Sequence, residues 1–133
     1  MKAKFIFIAF IGFLIASICS CTKAGTGGKA TVICKIINNV NSDTLSDLTV
    51  YIKYGQKTAP SSNTSGYDDH KEAAPRSNTV TFTGLNQGDY YFYVTGKDSL
   101  FPPNNTPVKG GGVCTILHSQ RNSSNTFTVS VSN

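Results

Sequence analysis

Phe82-Thr83-Gly84-Leu85-Asn86-Gln87-Gly88-Asp89-Tyr90-Tyr91-Phe92-Tyr93-Val94 is the stretch on which the fold turns. Val80 and Phe82 alternate with threonines, and after the Gly-rich segment Tyr90, Phe92 and Val94 alternate with Tyr91 and Tyr93. A period of two puts one set of side chains on each face of a strand, so this region predicts two strands around a turn at residues 84–88. Tyr90, Phe92 and Val94 are expected inside, Tyr91 and Tyr93 outside.

The same period extends both ways along the chain. Residues 29–38 place Ala30, Val32, Cys34 and Ile36 on one face, with Ile33 and Ile37 on the other. Leu48, Val50, Ile52 and Tyr54 alternate with Thr49, Tyr51 and Lys53, and residues 113–118 and 126–131 complete the set, with Phe127, Val129 and Val131 inward. No stretch carries the helical period. Six or seven short antiparallel strands over about 100 residues predict an all-β fold, a single Greek-key β-sandwich of residues 29–133. Two segments, 55–78 and 96–112, read as long loops rich in Pro, Gly, Ser and Asn, and Gly110-Gly111-Gly112 reads as a backbone bend. Loops beyond about 12–15 residues are commonly functional, so a site is sought there first.

The N-terminus has a different character. Met1-Lys2-Ala3-Lys4 is basic, and residues 5–18 form a 14-residue apolar run interrupted only by Gly12 and Ser17. A membrane-spanning helix needs roughly 20 apolar residues, so the run fits the hydrophobic region of a signal peptide. Ile18-Cys19-Ser20-Cys21 resembles the lipobox of bacterial lipoproteins. Cys21 is the expected acylated cysteine, since small Ser20 precedes it, whereas bulky Ile18 precedes Cys19. The alternative is an ordinary secretory signal with incidental cysteines. The resemblance implies residues 1–20 as signal peptide, Cys21 as the palmitate-type membrane anchor, and 21–28 as the lipidated cysteine with a Gly-rich tether. Each buried methylene of such an anchor adds roughly 0.8 kcal/mol. Thr22 stands where Asp marks inner-membrane retention, and no acidic run follows. An outer-membrane lipoprotein facing the periplasm is therefore expected.

Cleavage after residue 20 leaves 113 of 133 residues, enough for one domain. Lys2 and Lys4 leave with the signal, so 12 cations become 10 against 7 acids and the net charge falls from +5 to +3. The remaining cations are scattered, which argues against a nucleic-acid partner. Cys34 and Cys114 remain for an oxidising compartment. A disulfide between them is the expected reading, and a pair of buried free thiols is the alternative.

Tyr51-Ile52-Lys53-Tyr54-Gly55, the stretch from Phe82 to Tyr93, and Cys21-Thr22-Lys23-Ala24-Gly25-Thr26-Gly27-Gly28-Lys29-Ala30 together resemble a family of small bacterial lipoproteins with a transthyretin-like domain, also called carboxypeptidase regulatory-like or prealbumin-like. The resemblance covers most of residues 21–118. It implies a seven-stranded sandwich without catalytic residues of its own. It also implies a hairpin at Gly-Leu-x-x-Gly-x-Tyr, with Leu85 and Tyr90 plugging the core and Gly88 taking the turn. Where the family carries an Asp-x-x-Gly turn before the Phe82 strand, this chain has Arg76-Ser77-Asn78.

Catalytic patterns are sparse. No Gly-x-Ser-x-Gly elbow or phosphate-cradling loop is present. Asp68-Asp69-His70 offers metal ligands, though such a run is more often a solvated turn, so no metal or cofactor is expected; His118 reads as a surface residue. Tyr51, Tyr91 and Tyr93 fall on the outward phase of strands that can be neighbours. Such rings either stack on sugars and anchor partners or simply pair across strands. Asp43-Thr44-Leu45 and Asp98-Ser99-Leu100 resemble the acceptor of some bacterial O-glycosylation systems, on loops where a glycan is accessible. The reading is a non-enzymatic accessory or binding module, held to the outer membrane by its lipid and contacting an envelope protein or complex. Its rivals are a carbohydrate-binding module and a metal-assisted enzyme at Asp68, Asp69 and His70.

Overall fold

The computed structural model describes residues 23–38, 45–60, 63–99 and 105–133. The lipobox with Cys21, and Asp43, Thr44 and Leu100 of the glycosylation triplets, lie outside the described residues. Seven strands follow in chain order: β1 (Thr26–Asn38), β2 (Leu45–Tyr54), β3 (Asp69–Glu72), β4 (Thr79–Leu85), β5 (Gly88–Asp98), β6 (Thr106–Ile116) and β7 (Ser124–Val131). Short 3-10 turns stand at Thr64–Gly66 and His118–Gln120. The strands form a three-stranded sheet, β4-β1-β7, and a four-stranded sheet, β3-β2-β5-β6. The fold is an all-β sandwich.

Its core is the set of inward positions that the alternation singles out. Ala30, Val32, Cys34 and Ile36 of β1, Leu48, Val50 and Ile52 of β2, Val80 and Phe82 of β4, and Tyr90, Phe92 and Val94 of β5 are all buried. Phe92 joins the layers, with its ring 5.6 Å from Phe82 and 5.5 Å from Phe127 of the opposite sheet. Buried apolar area of this kind contributes about 25 cal/mol per Å², the main favourable term for a domain of this size.

Four expectations change. First, the strands are not all antiparallel: β1 and β7 pair in parallel, from Thr31↔Ser124 to Asn38↔Val131. A parallel pair needs a long crossover, and β2 through β6 supply it. Second, β4 and β5 do not form a hairpin. β4 pairs with β1 while β5 pairs with β2 and β6, so residues 86–87 carry the chain across the sandwich. Leu85 and Tyr90 are nevertheless buried on either side of that crossing, and Gly88 adopts φ +140°. Third, the segment read as a loop at 96–112 is mostly strand, and Gly110-Gly111-Gly112 runs extended opposite Val94, Tyr93 and Phe92 rather than bending. The segment at 55–78 likewise holds the edge strand β3. Fourth, the Gly-rich tether shortens, because Thr26, Gly27 and Gly28 already belong to β1.

Candidate functional site

β2 and β5 lie side by side at the centre of the four-stranded sheet, with Tyr51 opposite Tyr93 and Lys53 opposite Tyr91. Their inward neighbours fill the core, so these three tyrosines stand on the outer face, each half-buried. β3 adds a fourth ring by placing His70 opposite Tyr51. Tyr67, just before β3, folds over the same face. The Tyr67 ring lies 5.7 Å from Tyr93 at 18° and 5.8 Å from Tyr51 at 52°; Tyr51 lies 6.3 Å from Tyr93 at 41° and 5.6 Å from His70 at 25°. Such spacings suit attractive ring packing. Burial, with Tyr91 and Tyr93 close by, pushes the Tyr67 hydroxyl up to about 12. That hydroxyl is buried without a hydrogen-bond partner, in a face otherwise built of rings.

The Asp68-Asp69-His70 run is drawn apart by this arrangement. Asp68 accepts from Lys53 Nζ at 2.9 Å and from the Tyr54 amide at 2.7 Å, which fixes the entry to β3. Burial alone would raise its carboxyl; the Tyr54 amide and Lys53 outweigh it and hold the group below the ordinary carboxylate value. Asp69 accepts from the His70 amide at 2.8 Å, and the His70 ring lies on Tyr51. Among the described residues no three His, Cys, Asp or Glu side chains gather as a metal site.

Lys71 closes the edge of the sandwich. Its ammonium sits 5.2 Å from the Phe82 ring centroid and donates to the Thr81 carbonyl at 3.0 Å, bridging the two sheets. Beyond it, β3 covers β2 only over Thr49–Ile52. A groove of about 550 Å³ opens there, between Leu45–Leu48 of β2 and the turn at Pro75 and Arg76. Asp47 on its rim is paired with Lys97 at 2.7 Å.

The opposite end of the sandwich holds the start of the described chain. The Tyr90 hydroxyl donates to the Asn86 carbonyl at 2.7 Å and accepts from the Gly25 amide at 3.0 Å. Burial pushes this phenol up, against the pull of the Gly25 and Asn86 hydrogen bonds. Asn86 returns two bonds of 2.9 Å, from its amide to Gly25 and from Nδ2 to Thr26. Beside this knot is a cleft of about 270 Å³ lined by Lys29, Asn86, Gln87, His118, Arg121 and Asn122. His118 Nδ1 lies 2.8 Å from Gln87 Oε1, and Arg121 donates to the other ring nitrogen.

Cys34 on β1 and Cys114 on β6 face the core from opposite sheets, both buried. In this structure the pair stands as free thiols. Burial, with Cys114 adding to it, pushes Cys34 up to about 12, and burial raises Cys114 to about 11. Disulfide exchange runs through the thiolate, so both groups are chemically quiet here. Asp98 also departs from expectation: it is fully buried at the end of β5 and accepts from the Asn38 side chain, leaving Ser99 exposed beside it.

Sequence reasoning reached Tyr51, Tyr91 and Tyr93 but not Tyr67, and it read His70 as a loop residue. Tyr67-Asp68-Asp69-His70-Lys71-Glu72 lacks apolar alternation because β3 is exposed on both faces.

No protein-family model matches the chain, and no curated protein does. Among solved structures the chain is similar to a DUF4876 family protein from Bacteroides thetaiotaomicron, at 23% identity and a TM-score of 0.48. The match covers 78% of this chain and 24% of that one, so this chain spans about a quarter of the length of the protein it matches.

Proposed function

We propose that the chain is an outer-membrane lipoprotein, acylated at Cys21, whose transthyretin-like sandwich is a non-enzymatic module docking an envelope protein through the outer face of β3-β2-β5. The observation that carries this reading is the set of rings, Tyr51, Tyr67, His70 and Tyr93, packed side by side on a solvent-facing sheet. Aromatic side chains supply contact area at low entropic cost and are over-represented in the energetic centres of interfaces. The lipobox and apolar run support the anchor. The buried Leu85 and Tyr90 around Gly88 support the transthyretin-like assignment.

A photo-crosslinking residue at Tyr93, compared with one at exposed Lys35 of the other sheet, tests the docking face in living cells. A discrete adduct from position 93 that is absent from position 35 is the expected result. Equal adducts from both, or none from 93, would overturn the reading. The near-parallel Tyr67–Tyr93 and Tyr51–His70 pairs favour a second reading, in which a sugar ring stacks on the same face. Glycan-array binding that disappears on Tyr91→Ala or Tyr93→Ala would select it.

A further inference from the structure

We propose that the cleft bounded by Lys29, Gln87, His118 and Arg121 takes the phosphate of an anionic phospholipid headgroup, seating the sandwich end-on upon the membrane. The proposal rests on acylation at Cys21 and goes beyond it, because it says how the domain sits once anchored.

The tether between Cys21 and the fixed part of the domain is short. Ala24 packs against Gly88, where an added Cβ would come within 2.7 Å of the Ala24 Cβ. Gly25 is held by the Tyr90 hydroxyl and by Asn86, and β1 begins at Thr26. From a lipidated Cys21 to Gly25 is four residues, and at about 3.3–3.6 Å each the fixed domain starts within roughly 14 Å of the lipid. A freely swinging domain is therefore excluded, and the end bearing Gly25 and Asn86 meets the headgroups.

That end has the chemistry for such a surface. The cleft is built from the start of β1, the β4–β5 crossing and the β6–β7 link, and its lining holds Lys29, Arg121 and an imidazole without an acid. The amides of Asn86, Gln87 and Asn122 add neutral hydrogen-bonding groups. Asp89, at the same end, accepts from Thr115 at 2.6 Å and is paired with Lys57 at 3.6 Å. A guanidinium presents a fork matched to phosphate oxygens. His118, with Nδ1 toward Gln87 and its other nitrogen toward Arg121, braces that guanidinium at the cleft. Basic residues at an anionic surface each add about 1 kcal/mol of attraction, enough to orient a domain that the lipid already holds there.

The test uses the unacylated chain from Thr22 onward, because the whole core lies between Ala30 and Val131 and is retained. Flotation with vesicles of phosphatidylcholine, with or without one third phosphatidylglycerol, removes the anchor from the measurement. Binding to the anionic vesicles alone is expected, weakening as salt rises. Lys29→Gln with Arg121→Gln should reduce it at least about tenfold, while Lys35→Gln, on the exposed face of β1, leaves it unchanged. A thermal melt of each variant confirms the fold. Equal binding to both vesicle types, or no loss in the double variant, would overturn the proposal. Equally tight binding of inorganic phosphate without vesicles would overturn it in favour of a soluble anion. Since no acyl chain is present, failure here leaves the Cys21 assignment standing, and fatty-acid labelling tests that assignment alone.

Discussion

Arg76 occupies a position that glycine usually fills. The Ser77 amide donates to the Ala74 carbonyl at 2.9 Å, closing a turn with Pro75 and Arg76 at its centre. Arg76 has φ +63°, the left-handed value that the third residue of a type II turn requires. A side chain with a Cβ there costs about 1 kcal/mol relative to glycine. Arg76→Gly should therefore stabilise the domain by up to about 1 kcal/mol, read as a higher melting temperature. An unchanged or lower melt would mean that Arg76 makes compensating contacts in the native protein.

At the scale of elements, β4, the crossing and β5 behave as one device. Leu85 and Tyr90 enter the core from different sheets, and Gly88 lets the backbone pass close to Ala24. Gly88→Val would meet both a φ of +140° and the Ala24 contact, so it should destabilise more than surface substitutions do. Leu85→Ala should cost about 2–5 kcal/mol as a core truncation. Unchanged melting of both variants would contradict the placement of the crossing. The inward residues around it were legible because a half-buried strand must alternate. Which sheet each strand joins was not, because a period of two is the same for a hairpin and for a crossing between sheets. The first part of β6, before residue 113, was hidden for another reason: three glycines carry no pattern, and here they allow close approach, with a Cβ on Gly110 falling 2.0 Å from the Ser130 carbonyl oxygen.

Across the whole molecule, the buried thiols tie stability to pH. Cys34 and Cys114 have folded values of about 12 and about 11 against an ordinary 9.0. Folded values above unfolded ones mean that the native state holds these protons more tightly. Their contribution is complete below pH 9.0 and is lost as pH rises toward about 12. Urea melts across that window should show falling stability, with a shallower fall in Cys34→Ala/Cys114→Ala; equal slopes would contradict the linkage. The same comparison separates thiols from a disulfide, which does not titrate. The candidate sites were legible only in part. Alternation exposes Tyr51, Tyr91 and Tyr93, but the ring from Tyr67 and the cleft joining Lys29, Gln87 and Arg121 arise from segments that meet only after folding. A sandwich fixed close to a membrane through an acylated Cys21 should carry label after metabolic feeding of a fatty-acid analogue. Label on the native chain and none on Cys21→Ser is the expected result; equal label on both would contradict it.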